Sequence, residues 1–197
     1  NHLKKINGLS PFKGLRQLFL SSNKIEEISG LDHLKKLRWL AIRANYIKVI
    51  KNLEGLECLV DLNLGYNQIK RIEGLEELTK MKKLDLAGNR ISRIEGLDRN
   101  QCLEYLSLDY NQISKIEGLE KNRDLRHLFL TDNNISDLSG LEAMTNLISL
   151  DISENPVSCL GPLEDLPKLK KLTLNWTSIP KKEAQRFCRK RGIKLYI

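Results

Sequence analysis

Hydrophobic positions in this chain recur every 22 residues. In the stretch 62–69, Leu62 and Leu64 are separated by one residue, Asn67 follows, and Ile69 comes two residues later. Two leucines at alternate positions predict a short strand with both side chains on one face. The asparagine of this unit recurs at Asn23, Asn45, Asn67, Asn89, Asn111, Asn133 and Asn155. A fixed period of this length predicts a solenoid built from repeats.

Further hydrophobic columns run parallel to the asparagines. The positions five and three residues before the asparagine, and two residues after it, are aliphatic throughout the series. A single repeat cannot bury its own leucines, so each needs a neighbour on either side. Stacked repeats would join their strands into one parallel sheet with a continuous leucine core behind it.

The asparagine column itself is predicted to be structural. The turn after each strand leaves backbone N–H and C=O groups inside, and a carboxamide can satisfy both kinds. Seven residues later the chain has Gly30, Asn52, Gly74, Gly96, Gly118 and Gly140. Glycine and asparagine tolerate positive φ, which predicts a tight turn there. An acidic residue two positions further on suits the start of a short helix.

The two ends of the chain differ from the middle. Residues 1–179 are predicted to form the repeat array, with an incomplete first repeat and about eight strands. Asn1 falls in the middle of a repeat, so we expect further repeats or a cap before it. Residues 180–197 are predicted to form a C-terminal cap of the same domain. Within it, Lys181–Arg191 reads as a helix that Gly192 ends, followed by an alternating strand pattern.

The pattern L-x-x-L-x-L-x-x-N-x-I-x-x-I-x-G-L resembles the leucine-rich repeat family in its 22-residue class. That class includes the regulatory subunit of type-1 protein phosphatase and internalin-type repeats. The resemblance implies the α/β class and a leucine-rich repeat solenoid. Such a solenoid has a curved parallel β-sheet on its concave face and short helical or 3₁₀ turns on its convex face. For the partner, the resemblance alone makes a phosphatase one candidate.

Variable residues between the strand leucines should point out of the sheet and line the concave face. These positions and the cap strand hold most of the Phe, Trp and Tyr residues of the chain. Exposed aromatic residues mixed with charges are typical of protein-binding hot spots. The predicted partner-binding residues are Phe19, Trp39, Arg43, Asn63, Tyr66, Asp85, Tyr105, Asp109, Tyr110, His127, Phe129, Asp151 and Trp176.

Charge on this face is graded along the chain. Arg38 and Arg43 lie toward the N-terminal end, whereas Asp85, Asp109 and Asp151 lie toward the C-terminal half. A partner with the opposite gradient would be steered into register.

Catalytic residues are not evident in the pattern. His127 is the only histidine expected on the concave face, and no nucleophile with an orienting third group accompanies it. Asp85, Asp109 and Asp151 could hold a hard cation, but acidic residues on a binding face are the commoner case. We therefore predict a non-enzymatic protein with no cofactor and no metal.

The net charge of +8 is concentrated at one end. Most of it belongs to residues 180–197, where a solvated helix is the commoner explanation. A nucleic-acid-binding surface would instead carry its positive charges as a stripe. We expect no nucleic-acid partner; an acidic partner or an anionic surface is the alternative for this segment. No apolar run approaches the roughly 18 residues of a membrane span, so none is expected.

The four cysteines do not suggest a disulfide framework. Cys58 and Cys102 occupy the same position two repeats apart, about 10 Å or more, which is too far for a disulfide. We predict free thiols that are buried or half-buried. Free thiols favour a reducing compartment, the cytoplasm or the nucleus.

The predicted function is a protein–protein interaction module, such as a regulatory or scaffold subunit. An internalin-like surface adhesin is one alternative, which a secretion signal before Asn1 would favour and free thiols disfavour. The recognition part of a larger signalling enzyme is the other, which catalytic sequence beyond either end would favour.

Overall fold

A computed structural model describes all 197 residues and contains one sheet of nine parallel strands in chain order. The strands are β1 (Gln17–Phe19), β2 (Trp39–Ala41), β3 (Asp61–Asn63), β4 (Lys83–Asp85), β5 (Tyr105–Ser107), β6 (His127–Phe129), β7 (Ser149–Asp151), β8 (Lys171–Thr173) and β9 (Lys194–Tyr196). Equivalent residues pair between neighbours, so Leu62 is opposite Leu40 and Leu84. The predicted leucine-rich repeat solenoid with one parallel sheet is confirmed.

Aliphatic columns form a single core of 52 buried residues behind this sheet. Leu62, Leu64 and Ile69 of the third repeat have no exposed surface. Each such side chain contributes about 1.5–3 kcal/mol on burial, and the neighbouring repeats supply the surface that covers it. In the first repeat, by contrast, Leu18 of β1 and Leu20 just after it are only partly buried.

The convex side is built from consecutive tight turns. In the second repeat the N–H of Leu34 donates to Leu31 O and that of Leu37 to Leu34 O, each at 2.9 Å. These three-residue steps are 3₁₀ hydrogen bonds. One stretch, Gly161–Asp165, is long enough to form a 3₁₀ helix. The predicted outer turns are therefore present.

The asparagine column forms a ladder between repeats. The Oδ1 of Asn67 accepts the N–H of Ile47 at 2.9 Å. Its Nδ2 donates to Ile42 O at 3.0 Å and to Leu64 O at 2.9 Å. Both kinds of bond recur at Asn45, Asn89, Asn111, Asn133 and Asn155. The predicted structural role is confirmed, since these groups would otherwise be buried without partners.

The residue before each ladder position has a left-handed backbone. Its φ lies between 53° and 67° in Ser22, Ala44, Tyr66, Gly88, Tyr110, Asp132, Glu154 and Trp176. Strict alternation would turn the asparagine away from the core, and the left-handed residue reverses this so that the carboxamide enters the core. Only one of the eight is glycine, so the residue types as a set do not indicate this conformation.

The glycine column allows the repeats to approach closely. Gly74 has a φ of +67°, and a Cβ placed on it would lie 2.5 Å from the backbone oxygen of Ile50. The positive φ predicted for this column is confirmed, including at Asn52, where φ is 60°. The side chain of Asn52 donates to Ile28 O at 2.7 Å in the preceding repeat.

The C-terminal cap consists of a helix and a strand, as predicted. Helix α1 spans Lys181–Arg191, and Gly192 ends it in the left-handed conformation with a φ of 65°. Ala184 and Cys188 of α1 are buried. The guanidinium group of Arg191 donates to the backbone oxygens of Leu163 and Leu166, which ties the helix to the last repeat. Strand β9 completes the sheet beside β8. This single α-helix is too short and too polar to span a bilayer.

All four cysteines are free, as predicted, but their burial differs from the prediction. Cys188 is buried and Cys58 is half-buried, whereas Cys102 and Cys159 are exposed. The prediction was wrong for these two because neither occupies an aliphatic core column. Cys102 lies on a turn before β5, and the Sγ of Cys159 accepts the N–H of Gly161 at 3.3 Å.

The concave face as candidate functional site

Alternate strand residues form two rows on the sheet face turned away from the core, the concave face. The first row is Gln17, Trp39, Asp61, Lys83, Tyr105, His127, Ser149, Lys171 and Lys194. The second row is Phe19, Ala41, Asn63, Asp85, Ser107, Phe129, Asp151, Thr173 and Tyr196. Neighbours within a row are about 4.8 Å apart, so side chains from adjacent repeats touch.

An aromatic cluster lies at the centre of this face. The ring of Tyr105 is 5.2 Å from that of Phe129 and 6.4 Å from that of His127, between centroids. All three side chains are half-buried. Burial raises the pKa of Tyr105, and the nearby Asp85 and Asp109 raise it further. Burial, followed by the charges of Lys171 and Arg126, lowers the pKa of His127. The cluster is therefore uncharged at neutral pH.

Several polar residues of the predicted site also serve the fold. The Oδ1 of Asp85 accepts the N–H of Ala87 at 3.0 Å, and its Oδ2 accepts the Nδ2 of Asn63 at 2.8 Å. Asp151 accepts the N–H of Ser153 in the same way, at 3.0 Å. These bonds fix the orientation of the side chains, and an Asn or Asp at the end of a strand is the sequence signal for them.

Asp109 is the most enclosed carboxylate of the site. It follows β5, and its Oδ1 accepts the N–H of Thr131 from the next repeat at 2.7 Å. Its Oδ2 accepts the hydroxyl of Ser107 at 3.0 Å. Burial raises the pKa of Asp109 despite these hydrogen bonds. The ionised carboxylate of Asp109 is thus poorly solvated, and a carboxylate with a perturbed pKa is a feature associated with functional sites.

Replacing Asp109 with asparagine should raise the stability of the fold at neutral pH. A carboxyl whose pKa is raised by folding is stabilising when protonated and costs stability once ionised. Asparagine keeps an acceptor for Thr131 and a group that can bond Ser107, without the charge. Urea unfolding at several pH values should show the advantage of Asp109→Asn at pH 7 shrinking as the pH falls through the acidic range. An advantage that grows toward low pH would contradict this.

Arginine and aromatic residues pair at the N-terminal end of the face. The guanidinium carbon of Arg43 lies 4.4 Å from the ring centre of Tyr66, and that of Arg38 lies 5.3 Å from Trp39. Such cation–π contacts hold the rings in place. The ring of Tyr66 also covers Gly88, where an added Cβ would lie 2.9 Å from it.

The remaining predicted residues are separate from these groups. Phe19 on β1 is 68% exposed, and Trp176, beside the cap, is 86% exposed. Trp176 borders a cavity of about 320 Å³ that Ile179 and Ile197 also line. Tyr110, which follows β5, is also exposed. The structure therefore brings Tyr105, His127, Phe129 and Asp109 together and leaves Phe19 and Trp176 at opposite ends.

Asp85, Asp109 and Asp151 do not form a cation site. No group of three or more His, Cys, Asp or Glu side chains in the chain is arranged to hold a metal ion. Sequence reasoning missed Ser107 and Thr131, which position Asp109. The only available signal was a hydroxyl residue two positions before, and 22 positions after, an acidic residue.

The fold and the repeat contacts are those of a leucine-rich repeat solenoid. A family model described as Leucine Rich repeats (2 copies) matches residues 59–99, 79–121 and 103–143. The central repeats thus match the leucine-rich repeat family model, and the same backbone pattern continues through the array on both sides. No curated protein sequence matches the chain.

Solved structures with a similar fold come from bacterial leucine-rich repeat proteins. Internalin C2 of Listeria monocytogenes is 27% identical, with a TM-score of 0.81 over 95% of this chain and 81% of that one. The internalin inlF of the same organism is 23% identical, with a TM-score of 0.72 over 95% and 62%. A leucine-rich repeat protein of Leptospira interrogans is 23% identical, with a TM-score of 0.85 over 94% and 49%. The chain therefore spans under two thirds of two of these proteins.

Proposed function

We propose that the chain is a non-enzymatic interaction module whose concave face binds a protein partner. The observation that carries this is the cluster of Tyr105, His127 and Phe129. These rings lie outside the buried hydrophobic core and remain partly exposed on the concave face. Rigid aromatic groups that are already partly desolvated are the usual anchors of protein interfaces.

Charges around the cluster indicate what the partner carries there. Burial raises the pKa of Asp61 as well as that of Asp109. A lysine or arginine of the partner would relieve both carboxylates, because an opposite charge stabilises the ionised form. Arg38 and Arg43, toward the N-terminal end of the face, suit an acidic segment. The partner would thus dock in one orientation.

Alanine substitution in the cluster should remove partner capture. We expect Tyr105→Ala and Phe129→Ala each to weaken binding by tenfold or more, because truncating a central aromatic anchor costs about 2 kcal/mol or more. Trp39→Ala tests the N-terminal end in the same assay. The measurement is a pull-down from cell extract, quantified with the wild type and each variant in parallel.

Tyr46→Ala provides the matched control. Tyr46 is 45% exposed but lies just after a ladder asparagine, off the two rows of the concave face. Its loss should leave the captured set unchanged. Should Tyr105→Ala, Phe129→Ala and Trp39→Ala all capture the wild-type set in full, the concave face is not the binding surface.

A regulatory or scaffold role in the cytoplasm or the nucleus fits the four free thiols, two of them exposed. The resemblance of the repeats makes the catalytic subunit of a type-1 phosphatase the first purified partner to test. Nucleic acid is not proposed as the ligand of the concave face, where carboxylates surround the aromatic cluster.

Adhesion at a cell surface is the second candidate function. The similarity to internalin C2 over nearly the whole chain favours it. Antibody labelling of intact and permeabilised cells separates the two proposals. Labelling of intact cells supports the adhesin, and labelling only after permeabilisation supports the internal interaction module.

A further inference from the structure

A basic pocket lies on the edge of the solenoid where the chain enters the first strands. Its cavity of about 290 Å³ is lined by Arg16, Lys36, Arg38, Cys58, Val60 and Lys80. Successive repeats contribute these residues, so stacking of the repeats builds the pocket. We call this group of residues the entry pocket.

The four cations of the entry pocket have no carboxylate partner. Five other cations of the chain each reach a glutamate in a neighbouring repeat, as in Lys82–Glu104 at 2.7 Å and Lys35–Glu57 at 3.0 Å. None of the four pocket cations has a carboxylate within 4.0 Å. No acidic side chain lines the cavity. The pocket therefore concentrates positive charge that the protein does not neutralise itself.

The backbone beneath the pocket is fixed. The N–H of Arg38 donates to Arg16 O at 2.8 Å, and that of Val60 donates to Arg38 O at 2.9 Å. The guanidinium group of Arg38 also stacks near Trp39. Because Trp39 belongs to the concave face, the pocket adjoins that face at its N-terminal end.

We propose that the entry pocket binds the phosphate group of a phosphorylated serine or threonine on a polypeptide partner. Two guanidinium groups and two ammonium groups match a dianion, and arginine bonds phosphate oxygens in pairs. The volume suits one phosphorylated side chain. An extended polyanion fits less well, because the basic stripe is interrupted along the edge. The repeat position of Arg16 and Arg38 continues as Val60, Lys82, Glu104, Arg126, Ile148 and Lys170, and Lys82 is already paired with Glu104.

This inference rests on the proposed function and deepens it, since it gives the partner a chemical feature. A partner segment that lies along the concave face would pass Trp39 and could place a phosphorylated residue in the pocket. The contact would make capture of that partner depend on phosphorylation, as charge-assisted recognition by arginine clusters does elsewhere.

The test uses short peptides of glycine and alanine around one central residue, either phosphoserine or serine. Binding to the full chain is followed by NMR at the amides of Cys58 and Val60. We expect the phosphoserine peptide to bind saturably and at least about tenfold more tightly than the serine peptide. Arg16→Gln and Arg38→Gln should each lose about tenfold of that binding. Equal binding of the two peptides overturns the proposal.

Arg93→Gln is the matched control, because Arg93 is exposed but pairs with Glu117 outside the pocket. It should bind the phosphopeptide like the wild type, and an equal loss there overturns the proposal. Duplex DNA and anionic lipid vesicles are tested as competitors. If either displaces the peptide and shifts amides of α1 as strongly as Val60, the surface is a general polyanion site instead.

The two proposals fail separately in these assays. Tyr105→Ala should keep phosphopeptide binding, since Tyr105 lies outside the entry pocket. Phosphopeptide binding without any effect of the concave variants on partner capture would contradict the proposed function alone. Loss of capture in those variants without phosphopeptide selectivity would contradict the entry pocket alone.

Discussion

Replacing Asn67 with alanine should lower the free energy of unfolding by about 3 kcal/mol. The Ile47 N–H would lose its Oδ1 acceptor, and a buried group left unpaired costs about 1–3 kcal/mol. The bonds from Nδ2 to Ile42 O and Leu64 O would be lost as well. Those carbonyls keep a donor from Asn45 and Asn89 respectively, which limits the cost. Urea unfolding followed by circular dichroism measures the change.

Asn134→Ala is the control for this experiment. Asn134 directly follows a ladder asparagine, yet it is exposed and its side chain makes no hydrogen bond within the protein. Its replacement should change stability by less than about 0.5 kcal/mol. A similar effect of Asn67→Ala and Asn134→Ala would show that the ladder does not hold the repeats together.

Replacing Gly74 with alanine should also cost about 3 kcal/mol. Part of this is the left-handed backbone, which costs a residue with a Cβ about 1–2 kcal/mol. The rest comes from the backbone oxygen of Ile50, which would lie 2.5 Å from the new Cβ and must move. The repeats would have to separate at this point, and thermal or urea unfolding would report the loss.

Gly192→Ala separates the two contributions. Gly192 has a φ of +65°, close to that of Gly74, but a Cβ added there would meet nothing within 4 Å. Its cost should be limited to that of the left-handed backbone, about 1–2 kcal/mol. Equal losses in Gly74→Ala and Gly192→Ala would mean that close stacking contributes nothing at this column.

The fold could be predicted because each repeat carries the same residue types at the same positions. Alternate leucines define the strand, and Asn67 and its equivalents must satisfy buried backbone groups that nothing else reaches. The C-terminal cap could be predicted as well, since Gly192 follows a helical pattern and ends the helix. In each case the residue type itself carries the conformation.

The left-handed column was not predictable by the same logic. Tyr66, Tyr110 and Glu154 are ordinary residues for a surface, and none of them indicates a positive φ. The conformation is imposed by the need to turn the next side chain inward. Tertiary structure overrides local preference here, and the cost is distributed over the whole array.

The position of the candidate site could be predicted from the sequence, but the roles of its individual residues could not. The alternating pattern placed Asp85 and Asp109 on the same face and did not distinguish between them. Only the structure shows that Asp85 bonds its own loop and Asn63 of the preceding repeat, whereas Asp109 bonds the next repeat and is desolvated. Such differences depend on side chains 22 residues away and on how closely the repeats stack. Lys36 and Lys80 of the entry pocket were not predicted as site residues because they lie before the strands, outside the alternating pattern.

The asparagine ladder has a direction. Asn67 bonds its own repeat and the preceding one, through Ile47 and Ile42, and none of its bonds reaches forward. A repeat that leaves the ribosome therefore lacks the acceptor for its own buried N–H until about 20 more residues have followed. During synthesis, each repeat would complete its buried hydrogen bonds only after the next repeat has emerged. The most recently synthesised repeat would therefore always contain an unpaired N–H.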